Sequence, residues 1–530
     1  MRITDLSLRE KILQTVVIKV DKDHFVSDQV GGAFFGGEII TDAEELGIEA
    51  GRQILRRYQE NAKIPILLTG DFENGCGSVW KGLTALPYLM SLGAANDEQL
   101  AYEYGKATAL EATMVGANWS FSPACDLNVN KRNPLMNVRA LTDNPDVAVR
   151  LLPQVIRGMQ ENGLAACAKH FPGDGIDYRD QHIVTTKNSL SWDDWKRLSG
   201  KVFEEVIKSG VYSIMPGHIS LPAYQQETSI NGMHLPATLS WELMTKLLKE
   251  EMGFDGVVVS DALNMGGFNG WYSSREQSEI ECFKAGCDMM LWPCTRYVDN
   301  MVEAIESGYI PESRLDDAVQ RILTMKEKLG LFEKKTQTKN LTAEEKLFVS
   351  QTQQKTAERS ISLVRDHAGL FPLTTEKYKK IKVIPITHYA PALQEAELLC
   401  EELKKRGFEV DYQVNGLKHI KGTLAEEEQI DDCDLVLYAL FSRSFRPVGF
   451  LDFHSTEAMK IWRSLEYGGE KTAVVSFGSP YFGEQYFERA LTYVNAYSML
   501  SCSVQAFVRA AVGEIPFTEF SPVELYWKVE

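Results

Sequence analysis

The chain has 530 residues, of which 44% are hydrophobic and 24% charged, a composition typical of folded globular proteins that argues against long disordered tracts. The formal net charge of −17 would repel a phosphate backbone, so the composition disfavours nucleic-acid binding and suits a neutral or weakly charged substrate. The length exceeds a single hydrophobic core and predicts roughly two to four domains.

The N-terminal segment and the cysteines favour a reducing compartment. No apolar core followed by a small-residue cleavage site opens the sequence, and no run of about 18 apolar residues occurs, so we expect a cytoplasmic location and no membrane span. The nine cysteines include no C-x-x-C pair, and Cys282, Cys287 and Cys294 lack zinc-site spacing. Free, mostly buried thiols and no metal are therefore expected.

Short apolar runs alternate with amphipathic helical patterns through residue 330. This alternation predicts βα units and a parallel sheet. Seven strands are visible and an eighth is not obvious; a TIM-like (β/α)₈ barrel over residues 1–335 fits best, with a doubly wound open sheet as the alternative. The predicted strands are Val30–Phe35, Ile64–Thr69, Ala117–Ser122, Leu164–Lys169, Val211–Met215, Gly256–Ser260 and Cys287–Trp292.

A second α/β region follows the barrel. The polar, lysine-rich segment Phe332–Lys346 reads as a linker, and residues 336–360 are assigned to linker and helix. Residues 361–530 show a further βα alternation, which predicts an αβα sandwich. None of its helices is opened by a glycine-rich phosphate motif, so no nucleotide site is expected. Its predicted strands are Ile381–Ile386, Val410–Val414, Leu435–Leu440, Thr472–Ser476 and Leu491–Asn495.

Polar residues stand just past several predicted barrel strands, where barrel enzymes carry their reacting groups. Each residue alone is more often structural than functional, but their joint placement at strand ends favours a shared site. They are Asp71, Lys169, His170, His218 and Asp261.

The segment K-H-F-P-G-D-G-I-D-Y-R-D-Q-H, residues 169–182, carries the sharpest signal. Its proline and glycines force a loop in which Asp180 and His182 stand two apart. In an extended loop such side chains share one side, so Asp180 can bond one imidazole nitrogen and leave the other for a substrate. The carboxylate would favour the imidazolium form, as general acid and then general base work requires. The alternative is a D-x-H that merely caps a turn.

The segment G-V-V-V-S-D-A-L-N-M, residues 256–265, ends a buried strand at Asp261. A carboxylate at that point is well placed to attack an electrophilic carbon above the barrel mouth. The residues after it are expected to open a helix, so the alternative is an N-cap aspartate.

These segments resemble glycoside hydrolase family 3. Residues 256–265 are similar to its nucleophile motif, and K-H-F-P-G followed by D-x-H resembles its β-N-acetylglucosaminidase branch, where a flexible-loop Asp–His pair replaces the glutamate acid of the β-glucosidases. Further similar segments, in family order, cover nearly the whole chain: G-A-N-W-S-F-S-P-A-C-D-L-N-V-N, A-G-C-D-M-M-L, R-L-D-D-A-V-Q-R-I-L and V-V-S-F-G-S-P-Y.

The resemblance implies a retaining β-N-acetylhexosaminidase that acts on a small carbohydrate without a cofactor. Asp261 would be the nucleophile, and His182 with Asp180 the acid/base. The implied substrate-binding residues are Asp71, Arg139, Lys169 and His170, with His218 lining the same pocket.

Two departures from the family pattern stand out. D-F-E-N-G-C-G-S-V lacks the arginine of the usual D-x-E-G-G-R-V, and Asp174 stands where the branch usually has histidine. The downstream substrate is therefore expected to differ from a cell-wall fragment.

Three other functions remain open at this point. One is a β-N-acetylglucosaminide phosphorylase, since a histidine base repels phosphate less than a carboxylate would. The second is a β-glucosidase whose acid is a glutamate of the second domain. The third is a non-catalytic sugar-binding protein. The sequence also leaves a homodimer open.

Overall fold

The computed structural model describes residues 3–20, 29–35, 38–228, 231–333, 338–387, 389–414, 432–442 and 455–525. It divides into two compact units. The first comprises Met1–Ala85, Ala101–Met136 and Asn144–Ser350; the second comprises Leu86–Leu100, Asn137–Asp143 and Gln351–Glu530. Two short stretches of the N-terminal half therefore group with the second unit. Residues 334–337 of the predicted linker lie outside the described residues.

Among the described residues, the first unit has eight parallel barrel strands and one separate parallel pair, Thr186–Lys187 with Ile219–Ser220. Strands β8-β1-β2-β3-β4 form one sheet and β5-β6-β7 another, and isolated parallel bridges, Trp119 to Ala165 and Val259 to Met289, join their edges. Each barrel strand thus has a neighbour on both sides, which confirms the predicted TIM-like barrel. The strands are β1 (Val16–Lys19), β2 (Gly32–Phe34), β3 (Leu67–Gly70), β4 (Trp119–Ser120), β5 (Cys167–Phe171), β6 (Ser213–Pro216), β7 (Val257–Val258) and β8 (Met290–Leu291).

The barrel strand that the sequence analysis missed is β1. It has only four residues, V-V-I-K, and lies one residue after the helix Leu8–Gln14. That helix begins with a capping box formed by Ser7 and Glu10. Such a short run merges with the apolar face of the preceding helix. Its place is decided by its pairing with both β2 and β8.

From β2 onward, helices separate the successive barrel strands. Their ends follow local signals, as where Asn144 caps a helix that has Pro145 in its first turn. A buried apolar cluster fills the barrel, and within it the indole of Trp119 donates to Ser213 Oγ (2.8 Å). The longer helices are Glu38–Glu60, Glu98–Val115, Pro145–Gln160, Lys201–Lys208, Glu242–Glu251, Arg275–Ala285, Tyr297–Glu306, Glu312–Lys328 and Ala343–Glu358.

The described residues of the second unit form one six-stranded sheet with both faces covered. Along β10 and β12, successive residues enter different clusters: Val383 and Leu437 belong to one, Ile384 and Val436 to the other. This alternation buries both faces and confirms the αβα sandwich. The order is β9-β14-β13-β12-β10-β11, with only β9 antiparallel to its neighbour, and the strands are β9 (Ser362–Asp366), β10 (Lys380–Thr387), β11 (Glu409–Tyr412), β12 (Leu435–Phe441), β13 (Thr472–Phe477) and β14 (Thr492–Asn495).

All nine cysteines are free thiols, and seven are buried. Across the described ranges, no helix has both the length and the apolar character needed to span a membrane.

Candidate active site

Asp261 follows β7, at the barrel end where the loops after the strands gather. Its Oδ1 accepts a hydrogen bond from the backbone N–H of Ala262 (2.7 Å). The expected helix directly after Asp261 is wrong: turns follow, and the next helix begins at Arg275, capped by Ser274. The N-cap alternative for Asp261 is therefore excluded.

The charge environment holds Asp261 in its ionised form. Burial by itself raises the pKa of its carboxyl, but the neighbouring His170, His218, His182 and Lys169 side chains lower it by more, to about 2. A carboxylate that is ionised throughout the neutral range is what a nucleophile requires.

His170 links Asp261 to a buried carboxylate that the sequence analysis did not single out. Its Nε2 lies 4.0 Å from Asp261 Oδ2, and its Nδ1 lies 2.7 Å from Asp126 Oδ2. Asp126 also accepts from the backbone N–H of His170 (3.1 Å) and of Asp174 (2.6 Å). Asp126 thus orients the imidazole that faces Asp261. The only sequence signal for it was its place in the family-like segment A-C-D-L-N-V-N.

Lys169 is clamped by two carboxylates. Its Nζ lies 2.9 Å from Asp71 Oδ1 and 2.7 Å from Glu73 Oε1, and its side chain is only 3% exposed. The structure therefore brings the predicted Lys169 and Asp71 together and adds Glu73. The D-x-E spacing could have indicated Glu73, since its side chain points to the same side as that of Asp71.

Asp180 and His182 meet, but through a turn rather than an extended loop. Asp180 Oδ1 accepts from the backbone N–H of His182 (2.8 Å) and lies 2.7 Å from its Nδ1, while the Asp180 carbonyl accepts from the N–H of Ile183 (3.0 Å). The turn-capping alternative and the dyad therefore coexist. No contact within the described part of the chain occupies His182 Nε2, and that ring is 20% exposed.

The turn that carries the dyad is docked on the segment after Asp261. The His182 carbonyl accepts from the N–H of Gly266 (2.8 Å), and the Gln181 carbonyl from that of Gly267 (3.1 Å). A Cβ at Gly266 would stand 2.1 Å from the Ile183 carbonyl oxygen, so only glycine permits this approach. The glycine pair at 266–267 is the sequence signal for this close approach, and the sequence analysis did not use it. The turn that carries the predicted acid/base thus lies against the segment that follows the predicted nucleophile.

His218 is fully buried behind this site, with both ring nitrogens engaged. Nε2 lies 3.1 Å from the Ala262 carbonyl oxygen, which can only accept, so Nε2 carries the proton and Nδ1 accepts from the Thr238 hydroxyl (2.9 Å). Burial lowers the pKa of His218, which favours this neutral form. These contacts place His218 as a support for the residue after Asp261.

The two departures from the family pattern have structural counterparts. Cys76, in the segment that lacks the arginine, is fully buried and its Sγ contacts the Thr108 carbonyl (3.4 Å). Asp174 is buried, accepting from Asn133 Nδ2 (2.9 Å) and Gln181 Nε2 (3.1 Å).

Arg139 is the predicted site residue that the structure does not group with the others. It lies in the buried turn Asn137–Arg139, which belongs to the second unit. Its role stays a prediction. Among the described residues, no group of three or more His, Cys, Asp or Glu is arranged to hold a metal ion.

Known proteins with similar sequences and structures match this architecture. A β-N-acetylglucosaminidase/β-glucosidase from Cellulomonas fimi is 31% identical over 88% of this chain and 85% of its own length. A β-glucoside phosphorylase, BglX, has a TM-score of 0.88 at 28% identity, covering 99% of this chain and 96% of that one. A family 3 β-N-acetylglucosaminidase from Paenibacillus has a TM-score of 0.81 at 26% identity, covering 98% and 99%.

The family model for the glycosyl hydrolase family 3 N-terminal domain matches residues 7–325, which hold the whole barrel and the Asp261 and His182 segments. The sequence resemblance, the barrel with its sandwich and the relatives agree. The chain belongs to glycosyl hydrolase family 3 and is a glycosidase.

Proposed function

We propose that this glycosidase releases terminal β-linked N-acetylglucosamine with retained configuration, using Asp261 as nucleophile and His182, held by Asp180, as acid/base. The observation that carries the proposal is the docking of the dyad turn on the segment after Asp261, through the bond from the Gly266 N–H to the His182 carbonyl (2.8 Å). The sugar itself is inferred from the names of the relatives from Cellulomonas fimi and Paenibacillus.

In the first step, ionised Asp261 attacks the anomeric carbon, and the bond to the leaving oxygen breaks. The low pKa of Asp261, about 2, supports this role, since a carboxylate protonated near neutrality could not attack. The product of this step is a glycosyl ester on Asp261.

His182 protonates the leaving oxygen in that step. Asp180 bonds Nδ1 (2.7 Å), so the proton to be donated is on Nε2, and the carboxylate stabilises the imidazolium. After donation, the neutral ring takes a proton from water, which hydrolyses the glycosyl ester and regenerates Asp261.

The other polar residues hold the sugar and the nucleophile. Lys169, fixed by Asp71 and Glu73, and His170, fixed by Asp126, are proposed to bind sugar hydroxyls, as is Arg139. Asp71, whose side chain is 28% exposed, is proposed to bind a sugar hydroxyl as well. His218 is assigned to support Asp261, because its ring nitrogens bond within the protein.

Phosphorolysis is the second candidate. It is favoured by the likeness to BglX, a β-glucoside phosphorylase, at a TM-score of 0.88 over 99% of this chain. A neutral histidine base also repels an incoming phosphate less than a carboxylate base would. Phosphate would then replace water in the second step, and the product would be a sugar 1-phosphate.

The deciding experiment is a screen of aryl β-glycosides, run with and without phosphate, followed by product analysis. We expect turnover of the N-acetylglucosaminide to exceed that of the glucoside, with free sugar as the product. Faster turnover of the glucoside would favour the β-glucosidase alternative. Formation of a sugar 1-phosphate only in the presence of phosphate would show that the reaction is phosphorolysis and not hydrolysis. Tight sugar binding without turnover of any glycoside would overturn the catalytic proposal.

A cytoplasmic location belongs to the same proposal. The nine free thiols support it, since unpaired cysteines persist in a reducing compartment. The homodimer stays a prediction, which light scattering of the purified chain tests.

A further inference from the structure

Gln181 stands between the two dyad residues, yet its side chain makes its contacts inside the protein. It is fully buried, whereas the ring of His182 is partly exposed. Its Nε2 donates to Asp174 Oδ2 (3.1 Å), and its Oε1 accepts from the backbone N–H of His218 (2.7 Å). The proposed reaction assigns this residue no step.

The contacts of Gln181 join three separate loops of the barrel. Asp174 follows β5, His218 follows β6, and the Gly267 N–H that donates to the Gln181 carbonyl (3.1 Å) follows β7. The absence of a side chain at Gly217 leaves room for the amide, since a Cβ there would stand 2.8 Å from Gln181 Oε1. The Gln181 side chain therefore connects loops through hydrogen bonds and does more than fill space in the core.

We propose that Gln181 is a positioning residue: its amide, held between the Asp174 carboxylate and the His218 backbone N–H, sets the orientation in which His182 donates its proton. The inference rests on the proposed function of His182 as the acid/base. Gln181 touches neither substrate nor reacting atoms, and it acts through the backbone of its two neighbours.

The hydrogen-bond polarity allows only one orientation of the amide. His218 N–H can only donate and the ionised Asp174 can only accept, so a flipped amide would lose both bonds. Asp174 is itself fixed by donation from Asn133 Nδ2 (2.9 Å) and from the Gly175 N–H (2.6 Å). A network in which each of these donors and acceptors has a partner holds the turn in one geometry. A single hydrogen bond would leave the turn free to rotate.

The state of Asp174 is consistent with this polarity. Burial first, and then the neighbouring Asp126 carboxylate, raise its pKa, while the His170 charge and the hydrogen bonds it accepts lower it, giving about 6. Three donors, the Asn133 and Gln181 amides and the Gly175 N–H, point at its two oxygens, which is the arrangement that an ionised carboxylate accepts.

The pair permits a test in which the polarity is exchanged. Gln181→Glu sets two carboxylates against each other, and Asp174→Asn sets two NH₂ groups against each other. Combining the two changes moves the carboxylate to position 181 and lets the new asparagine donate to it, so the hydrogen bond reforms in reverse. Rescue by the double variant separates a specific contact from general damage to the fold.

The readout is kcat/KM at pH 7 for two N-acetylglucosaminides: a phenyl glycoside, whose poor leaving group needs a proton, and a dinitrophenyl glycoside, whose leaving group does not. We expect each single variant to lose about ten- to a hundred-fold on the phenyl glycoside and under about three-fold on the dinitrophenyl glycoside. The double variant should recover at least about ten-fold of the loss.

Gln160→Glu is the matched control. Gln160 also bridges two groups, donating to the Gly210 carbonyl (2.9 Å) and accepting from the Tyr212 N–H (2.9 Å), and it has no part in the site. Gln160→Glu should leave kcat/KM unchanged for both substrates. Equal losses of Gln181→Glu on both substrates, or a double variant no better than the worse single one, would overturn the inference.

The failure of the proposed function looks different. If His182→Ala itself lost equally on both glycosides, His182 would not be the acid. If His182→Ala lost kcat/KM selectively on the phenyl glycoside and the Gln181 and Asp174 variants did not, only the positioning role of Gln181 would be contradicted.

Discussion

Replacing Asp261 by asparagine tests whether the nucleophile stabilises the fold or strains it. The change keeps the size of the side chain and an acceptor for the Ala262 N–H, and it removes the charge. The surroundings lower the pKa of Asp261 from 3.8 to about 2. At about 1.4 kcal/mol per unit, the ionised carboxylate contributes about 2 kcal/mol to the free energy of unfolding, and Asp261→Asn should lose that amount.

The sign of this effect fixes its pH dependence. Because the pKa is lowered in the folded state, the stabilisation is present above the unfolded value of about 4 and is lost as pH falls towards 2. The gap between the free energies of unfolding of wild type and Asp261→Asn should therefore be wide at pH 5 and narrow at pH 3.

The assay is denaturant unfolding at these pH values, followed by tryptophan fluorescence; Trp119 and Trp195 are buried reporters in the first unit. Asp255→Asn is the control, since Asp255 is exposed just before the same strand and should change stability by under about 0.5 kcal/mol. The reasoning is refuted if Asp261→Asn is as stable as wild type, or more stable, at pH 5 while the control is neutral.

Three further predictions concern contacts around the same barrel. Asp180→Asn should lower kcat by about a hundred-fold or more with KM little changed, because an amide stabilises the imidazolium of His182 poorly; an unchanged kcat would contradict the dyad. Lys169→Met should lower the free energy of unfolding by about 3 kcal/mol and raise KM, since it leaves Asp71 and Glu73 without their shared cation; denaturant titration and kinetics measure both, and a neutral effect would contradict the clamp. Ser213→Ala should destabilise by about 1–3 kcal/mol, because the buried Trp119 indole N–H loses its acceptor, whereas Ser307→Ala, at an exposed helix end, should stay within about 0.5 kcal/mol.

The sequence alone determined the strands, their alternation with helices, and the residues at their ends. Runs such as Val257–Ser260 are apolar because strands in a parallel sheet are buried on both faces, and the polar residue after them marks the strand end. That local rule placed Lys169, His170, His218 and Asp261 at the ends of their strands. It missed β1 because four residues between a helix and a loop carry too little pattern.

Only the tertiary structure decided which polar groups meet. Asp126 and Glu73 are distant in sequence from His170 and Lys169, so no local pattern could assign these pairs. The backbone fold of the loop also decided how Asp180 reaches His182, since a turn, and not strand alternation, brings them together.

The reason is that local sequence sets the preferences of each segment, whereas hydrogen bonds and ion pairs depend on distances that the packed chain alone defines. Gln181 shows this most plainly: its neighbours in sequence are the dyad, and two of its partners in space, His218 and Gly267, come from two other loops.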